Sequence, residues 1–135
     1  MRVLLADDHP TNRQVVELIL TMINAAVDSV EDGAQAVEAF KRARYDIVLM
    51  DLQMPVMDGL TAMRLIRAWE VERQMTRTPM MALTANVLPV HVTQSLEAGA
   101  TSHFANPVTV DKLLNAVREA IAAEAVRIPE ERMAG

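Results

Sequence analysis

The chain has 135 residues, which fits a single domain and is long enough to bury a hydrophobic core. Its formal net charge of −5 argues against a nucleic-acid partner, because such binding needs a clustered basic surface. It has no cysteine, which excludes a disulfide framework and a thiolate metal site. A strand pattern begins at Arg2, and no apolar run approaches the ~20 residues of a membrane span, so we expect no signal peptide and a cytoplasmic chain without membrane insertion.

The first predicted element is a short buried strand. Residues Val3 to Ala6 are apolar and lead directly into Asp7 and Asp8. Pro10 suits the first turn of a following helix, which Asn24 can end as a left-handed cap. Apolar residues at helical spacing predict the buried face of this helix, formed by Val15, Leu18, Ile19 and Met22.

A second strand and helix precede the most informative stretch. Ala26 to Val30 is predicted to be the strand, and the helix after Gly33 has the apolar stripe Ala36, Val37, Ala39 and Phe40. The third strand, Ile47 to Met50, is apolar throughout, as in a parallel strand covered on both faces, and it ends at Asp51. Pro55 and Gly59 are predicted to stop this strand and turn the chain.

The helix after this turn runs from Leu60 to about Arg73, with Ala62, Leu65, Ile66 and Trp69 on its buried side. The residues from Glu70 to Arg77 are predicted to form a charged, solvated connection. Methionines 50, 63 and 81 lie within strand or helix patterns, which favours core filling over an adaptable binding surface.

Two further strands complete the predicted sheet. Met80 to Leu83 leads to Thr84, and Thr101 to Ala105 leads to Asn106. A weakly patterned helix from Leu88 to Ala98 lies between them. The last helix carries apolar residues at regular helical spacing, namely Val110, Leu113, Leu114, Val117 and Ile121.

Strands alternate with helices five times, which predicts a doubly wound α/β fold with a parallel sheet and helices on both faces. We expect one domain over residues 1–124 and a tail or linker over 125–135.

Two of the strands finish in acidic residues. In open α/β sheets, ligands bind beyond the carboxyl ends of the strands. If the strands before Asp7-Asp8 and Asp51 are parallel neighbours, three like charges meet, which is unfavourable unless a cation lies between them. Taken alone, Asp51 would fit a helix cap or a turn equally well. Oxygen ligands in an incompletely enclosed site suit Mg²⁺.

The chain resembles the receiver domains of two-component response regulators. The motifs that carry the resemblance are Asp7-Asp8, the segment MDLQMPVMDG around Asp51, the triplet Leu83-Thr84-Ala85 and the segment Phe104-Ala105-Asn106-Pro107. MDLQMPVMDG followed by LTAN is especially similar to receivers of hybrid sensor histidine kinases. The resemblance implies a flavodoxin-like (βα)5 fold with strand order 2-1-3-4-5.

The resemblance also implies a role for each site residue. Asp51 would be the phosphoacceptor. Mg²⁺ would be held directly by Asp8 and Asp51, through a water by Asp7, and by the backbone carbonyl of Gln53. The Thr84 hydroxyl and the Ala85 N–H would bind phosphoryl oxygens.

Asn106 departs from the family pattern, which has a lysine before the proline. A neutral hydrogen bond is roughly half as strong as a charge-assisted one, so Asn106 would replace the lysine only in part. His103 lies where receivers often carry an aromatic switch residue, although a surface histidine on an edge strand is equally compatible. Because imidazole is a poor ligand for Mg²⁺, His9 is predicted to be a loop residue.

The leading hypothesis is a phosphoacceptor module that takes a phosphoryl group from a histidine kinase or a histidine phosphotransfer protein and switches a surface for an effector. It would catalyse at most its own phosphorylation and dephosphorylation. One alternative is a protein-interaction module that switches weakly or without phosphorylation because of Asn106. A haloacid-dehalogenase type of phosphatase is a weaker alternative, since that chemistry wants an acid where Gln53 stands.

Overall fold

The computed structural model describes residues 1–84, 88–105 and 109–125. Strands and helices alternate along the chain, as predicted. Their bounds are β1 Arg2–Ala6, α1 Pro10–Thr21, β2 Ala26–Val30, α2 Gly33–Arg42, β3 Ile47–Asp51, α3 Gly59–Glu72, β4 Met80–Thr84, α4 Pro89–Ala98, β5 Ser102–Ala105 and α5 Val110–Ala125.

The five strands form one parallel sheet in the order β2-β1-β3-β4-β5, which confirms the predicted topology. Strand β1 pairs with β3 in a register that sets Ala6 beside Met50. The residues that follow these two positions are Asp7, just after β1, and Asp51, the last residue of β3, and they therefore lie side by side at the carboxyl end of the sheet. The pairing of the central strands thus brings together two of the acids that the sequence singled out.

Side chains of the central strands alternate between two core layers, because successive residues of a strand point to opposite faces. On one face, Leu4 and Val48 pack with residues of α2, α3 and α4. On the other, Leu5 and Leu49 pack with residues of α1 and α5. Met50, Met63 and Met81 are fully buried, which confirms their predicted place in the core.

The buried face of α1 differs from the prediction. Val16, Ile19 and Leu20 are buried, whereas Leu18 and Met22 remain 69% and 67% exposed. The predicted and observed faces are neighbouring stripes on one helix, offset by about one residue. Nearly every residue from 15 to 20 is apolar, so the periodicity of the sequence does not distinguish the two possible buried faces of α1. The packing of α1 onto β1 and β3 determines which face is buried.

The other helix faces agree with prediction in most positions. Helix α2 buries Ala36, Val37 and Phe40, and α5 buries Leu113 and Val117. On α3, however, Leu65 was predicted to be buried and is 43% exposed. Met63 is buried, and it lies on the core face of the helix with Ala62 and Ile66.

The segment predicted as a solvated connection is partly buried. Helix α3 continues to Glu72, and Glu70 is only 3% exposed. One oxygen of Glu70 lies 2.6 Å from the Arg67 guanidinium, and the other accepts a 2.6 Å hydrogen bond from the Thr78 N–H. These contacts satisfy a buried carboxylate, which would otherwise be costly.

The single tryptophan lies on α3 near α2. The Lys41 ammonium lies 5.0 Å and the Arg73 guanidinium 3.7 Å from the centre of the Trp69 ring. These distances are in the range of cation–π contacts.

Within the described ranges, none of the helices combines the length and apolar character that a membrane crossing requires.

Candidate functional site

Three carboxylates converge at the carboxyl end of β1 and β3. The side chains of Asp7, Asp8 and Asp51 are 4%, 28% and 15% exposed, so the carboxylates are partly desolvated. Together with His9 they form a group in which one candidate ligand atom from each residue lies within 4.8 Å of the others. The structure thus brings together the acids that the sequence predicted.

The loop after β1 is fixed by backbone hydrogen bonds. The Asp7 N–H donates to the Val30 carbonyl at 3.1 Å, and Oδ1 of Asp7 accepts from the His9 N–H at 2.9 Å. The Arg13 guanidinium donates to the Asp7 carbonyl at 2.8 Å. Arg13 therefore places a positive charge beside the loop without occupying the space between the carboxylates.

Asp51 is held by the loop that follows β3. Its Oδ1 accepts a 3.1 Å hydrogen bond from the Gln53 N–H, which orients the carboxylate. The Gly59 N–H donates to the Leu52 carbonyl at 3.2 Å, and a Cβ at Gly59 would overlap the carbonyl oxygen of Asp51. Gly59 is therefore the first residue of α3, packed against the acid, and not the turn residue that we expected; Asp58 caps the helix.

Burial raises the pKa of Asp51 to about 6. The hydrogen bond from Gln53 opposes this shift, whereas the negative charges of Asp7 and Asp8 add to it. A carboxyl that is difficult to ionise is typical of a site that normally holds a cation or a reacting group.

The β3–α3 loop also contains a strained residue. Val56 has a φ of +66°, and the Met57 N–H donates to the Pro55 carbonyl at 2.7 Å across it. This is a γ-turn centred on a β-branched residue, a conformation that is rare and unfavourable. The Val56 side chain is 85% exposed and points away from the core.

His9 lies in the loop before α1, as predicted, and its imidazole also lies beside the acids. Its Nδ1 lies 3.0 Å from Asp8, 3.5 Å from Asp7 and 3.8 Å from Asp51. The prediction considered only the preference of Mg²⁺ for oxygen, and it missed that the chain turns back over the acids immediately after Asp8. The signal available in the sequence was the direct adjacency of His9 to the acid pair.

The donor set fits a divalent cation. Oδ1 of Asp8 is buried and accepts no hydrogen bond of proper geometry from the described residues, although Nδ1 of His9 is near. A buried carboxylate oxygen without a donor, beside two further carboxylates, is the environment that a hard cation such as Mg²⁺ stabilises.

Of the remaining predicted site residues, Thr84 and His103 belong to the described part of the chain. Thr84 ends β4 and is 9% exposed, one position beyond Leu83, which pairs with Asp51. His103 lies on the edge strand β5, opposite Ala82, and is partly buried. Ala85 and Asn106 lie outside the described residues, so the structure does not test their predicted contacts with a phosphoryl group.

Residues 3–118 match the family model of the response regulator receiver domain. The chain belongs to this family. The acidic cluster therefore lies in a receiver domain, whose sheet has the strand order 2-1-3-4-5. The structurally similar solved proteins are receiver domains as well.

Several known proteins contain a receiver similar to this one. The sensor protein GacS of Pseudomonas syringae is 40% identical over 116 residues, covering 86% of this chain and 13% of that protein. The peroxide stress-activated histidine kinase mak1 of Schizosaccharomyces pombe is 41% identical over 114 residues, covering 82% of this chain and 7% of that protein. The chain thus spans a small part of the length of these relatives.

Among solved structures, the receiver domain of the sensor histidine kinase PA1611 of Pseudomonas aeruginosa is 40% identical, with a TM-score of 0.81. The match covers 90% of this chain and 97% of that one. That crystal structure has a magnesium ion coordinated in the active site cleft.

Proposed function

We propose that this receiver accepts a phosphoryl group on Asp51 with the help of Mg²⁺, as a step of a two-component phosphorelay. The single observation that carries the proposal is the convergence of Asp7, Asp8 and Asp51 around the buried Oδ1 of Asp8, which accepts no hydrogen bond from the described residues. The magnesium ion in the similar receiver of PA1611 supports it.

Asp8 and Asp51 would hold the cation directly, Asp7 through a water, and Gln53 through its backbone carbonyl. When bound, Mg²⁺ would neutralise the carboxylates and the charge of the incoming phosphoryl group. The Gln53 N–H would keep the Asp51 carboxylate oriented during the reaction.

In the transfer step, a carboxylate oxygen of Asp51 forms a bond to phosphorus while the bond from phosphorus to the donor's histidine nitrogen breaks. The nitrogen keeps the electron pair, and the product is an aspartyl phosphate. The Thr84 hydroxyl and the Ala85 N–H would bind the phosphoryl oxygens, and His103 would respond to the movement of Thr84.

The proposed donor is a histidine kinase or a histidine phosphotransfer protein, because the relatives that contain a similar receiver are sensor kinases.

We further propose a receiver domain over residues 1–124, followed by a tail or linker. The matched range ends at residue 118, and α5 continues to Ala125. A downstream effector, a cytoplasmic location and the exclusion of nucleic acid remain predictions from the sequence.

The test is incubation with acetyl phosphate and Mg²⁺, followed by intact-mass measurement. We expect the addition of one acid-labile phosphoryl group in the wild-type chain and none in Asp51→Asn. Asp58→Asn is the matched control, since Asp58 lies in the same loop, caps α3 and keeps a capping oxygen as Asn. Label that persists in Asp51→Asn would refute the proposal.

A further inference from the structure

We propose that His9 supplies a nitrogen ligand to the divalent-cation site, so that the site favours transition ions such as Co²⁺ and Ni²⁺ over Mg²⁺ to a degree that carboxylates alone do not reach. The inference rests on the proposed cation site and adds a residue that selects the ion.

The distances from the imidazole to the carboxylates suit a shared ion. Two ligand atoms that lie about 2.1 Å from an octahedral ion are about 3.0 Å apart when adjacent and about 4.2 Å apart when opposite. Nδ1 of His9 lies 3.0 and 3.8 Å from oxygens of Asp8 and Asp51, the two carboxylates proposed to hold the ion directly, and both distances fall within that interval. All four candidate ligand atoms, including that of Asp7, lie within 4.8 Å of one another.

The backbone places the ring while leaving it room to adjust. The His9 N–H is bound to Oδ1 of Asp7, so the residue stays beside the acids. The side chain is 63% exposed, and small rotations can therefore bring Nδ1 onto an ion. Nδ1 can donate an electron pair to a metal, whereas the guanidinium of nearby Arg13 cannot.

The buried Oδ1 of Asp8 is the second observation. This atom accepts no hydrogen bond of proper geometry from the described residues, although Nδ1 of His9 is its near neighbour at 3.0 Å. A cation placed between the nitrogen and the oxygen would satisfy both atoms. A direct hydrogen bond between them is not formed.

The chemistry of the ions makes the role of the nitrogen measurable. Mg²⁺ is a hard ion that prefers oxygen and gains little from imidazole, whereas imidazole is a good ligand for Co²⁺ and Ni²⁺. Any oxygen site binds Ni²⁺ more tightly than Mg²⁺, so the affinity ratio of the wild-type protein alone decides nothing. The decisive quantity is the change in that ratio when the nitrogen is removed.

The experiment is calorimetric titration of the metal-stripped chain with NiCl₂ and, separately, with MgCl₂ at one pH. The variants are His9→Asn and His9→Gln, and the matched control is His91→Asn on α4. Loss of a ligand should weaken Ni²⁺ binding about tenfold or more. We expect this loss in both His9 variants, Mg²⁺ binding within about threefold of wild type, and no change in His91→Asn.

Co²⁺ gives an independent reading on the wild-type chain, because direct ligation adds a contact shift to the ring protons of a histidine that is much larger than the through-space effect of the ion on a neighbouring ring. We expect this effect at His9. Unchanged Ni²⁺ affinity in both His9 variants would overturn the proposal, as would an equal loss of Ni²⁺ and Mg²⁺ affinity.

The outcomes separate this inference from the proposed function. Normal labelling of Asp51 in Mg²⁺ together with His9-independent Ni²⁺ binding would refute only the nitrogen ligand. Failure of Asp51 labelling together with His9-dependent Ni²⁺ binding would refute only the phosphoacceptor role.

Discussion

Gly59 begins α3 in direct contact with the backbone carbonyl of Asp51, at a separation that leaves no room for a side chain. The β3–α3 loop therefore packs closely against the backbone of Asp51, and a displacement of the first turn of α3 would also displace Asp51.

Gly59→Ala should displace the start of α3, because a Cβ would overlap the Asp51 carbonyl. Forcing an extra methyl group into a packed site costs roughly 1–3 kcal/mol. We expect the free energy of unfolding to fall by about 2 kcal/mol and the rate of Asp51 labelling by acetyl phosphate to fall with it. Urea denaturation measures the first effect and intact mass the second. Thr61→Ala, an exposed change in the same turn, should alter neither; wild-type stability in Gly59→Ala would show that the contact relaxes without cost.

Asp51→Asn should stabilise the metal-free protein at neutral and higher pH. Because the pKa of Asp51 is raised to about 6 in the folded state, ionisation opposes folding above that pH. This penalty disappears as the pH falls from about 6 towards the unfolded value near 4. After a discount for solvent screening, we expect the variant to be about 1 kcal/mol more stable than wild type at pH 8.

The check on Asp51→Asn is urea denaturation in chelator between pH 4 and pH 8. The stability difference between variant and wild type should shrink as the pH falls. A constant difference across this interval would contradict the raised pKa, and added Mg²⁺ should stabilise the wild type more than the variant.

Val56→Gly should relieve the backbone strain of the γ-turn. A positive φ at a residue other than glycine costs of order 1–3 kcal/mol, and the greater freedom of glycine in the unfolded chain offsets part of that. We expect the free energy of unfolding to rise by about 1 kcal/mol, measured by urea denaturation. Val56→Ala loses the exposed side chain but keeps the strained φ, so it should gain less than the glycine variant. A destabilised glycine variant would mean that Val56 makes a compensating contact.

Glu70→Gln should weaken the fold at the end of the molecule away from the acids. The change leaves the largely buried Arg67 guanidinium without its closest carboxylate. Removing one partner of a buried pair costs about 3–5 kcal/mol, and the expected loss lies near the lower limit because Arg67 also donates to carbonyl oxygens. Glu72→Gln, an exposed change on the same helix, is the control for thermal and urea melts. Equal melting of the two variants would show that the buried pair contributes nothing.

Asn106→Lys tests the departure from the family pattern, and it rests on the sequence because Asn106 lies outside the described residues. A new positive charge should weaken Mg²⁺ binding at the acids and strengthen the coupling of phosphorylation to the region of Thr84 and His103. NMR titrations with Mg²⁺ and then with beryllofluoride should therefore give larger beryllofluoride shifts in the variant. Equal shifts in both proteins would mean that Asn106 already does the work of the lysine.

The parallel sheet with helices on both faces was predictable from the alternation of apolar strands and amphipathic helices, whereas the strand order followed from the resemblance to receiver domains. The face of α1 was not predictable, since Val15 and Val16 begin two equally apolar stripes and only contact with the sheet distinguishes them. The burial of Glu70 could not be predicted from the sequence, because its partner Thr78 lies beyond the end of the helix. The charged residues between them indicated a solvent-exposed connection. The position of the His9 ring beside the acids was not predicted, because ligand preference was considered without the turn that follows Asp8.

The position of Trp69 gives the protein an optical signal of its own. The ring lies ten residues after Gly59 on the same helix, which corresponds to about 15 Å along its axis. Lys41 belongs to α2, whereas Arg73 directly follows α3, so a small rotation of α3 against α2 moves the Lys41 charge relative to the indole and changes the wavelength and yield of the ring's fluorescence. The fluorescence of Trp69 therefore reports whether a chemical change at Asp51 moves α3, the helix that begins beside that acid.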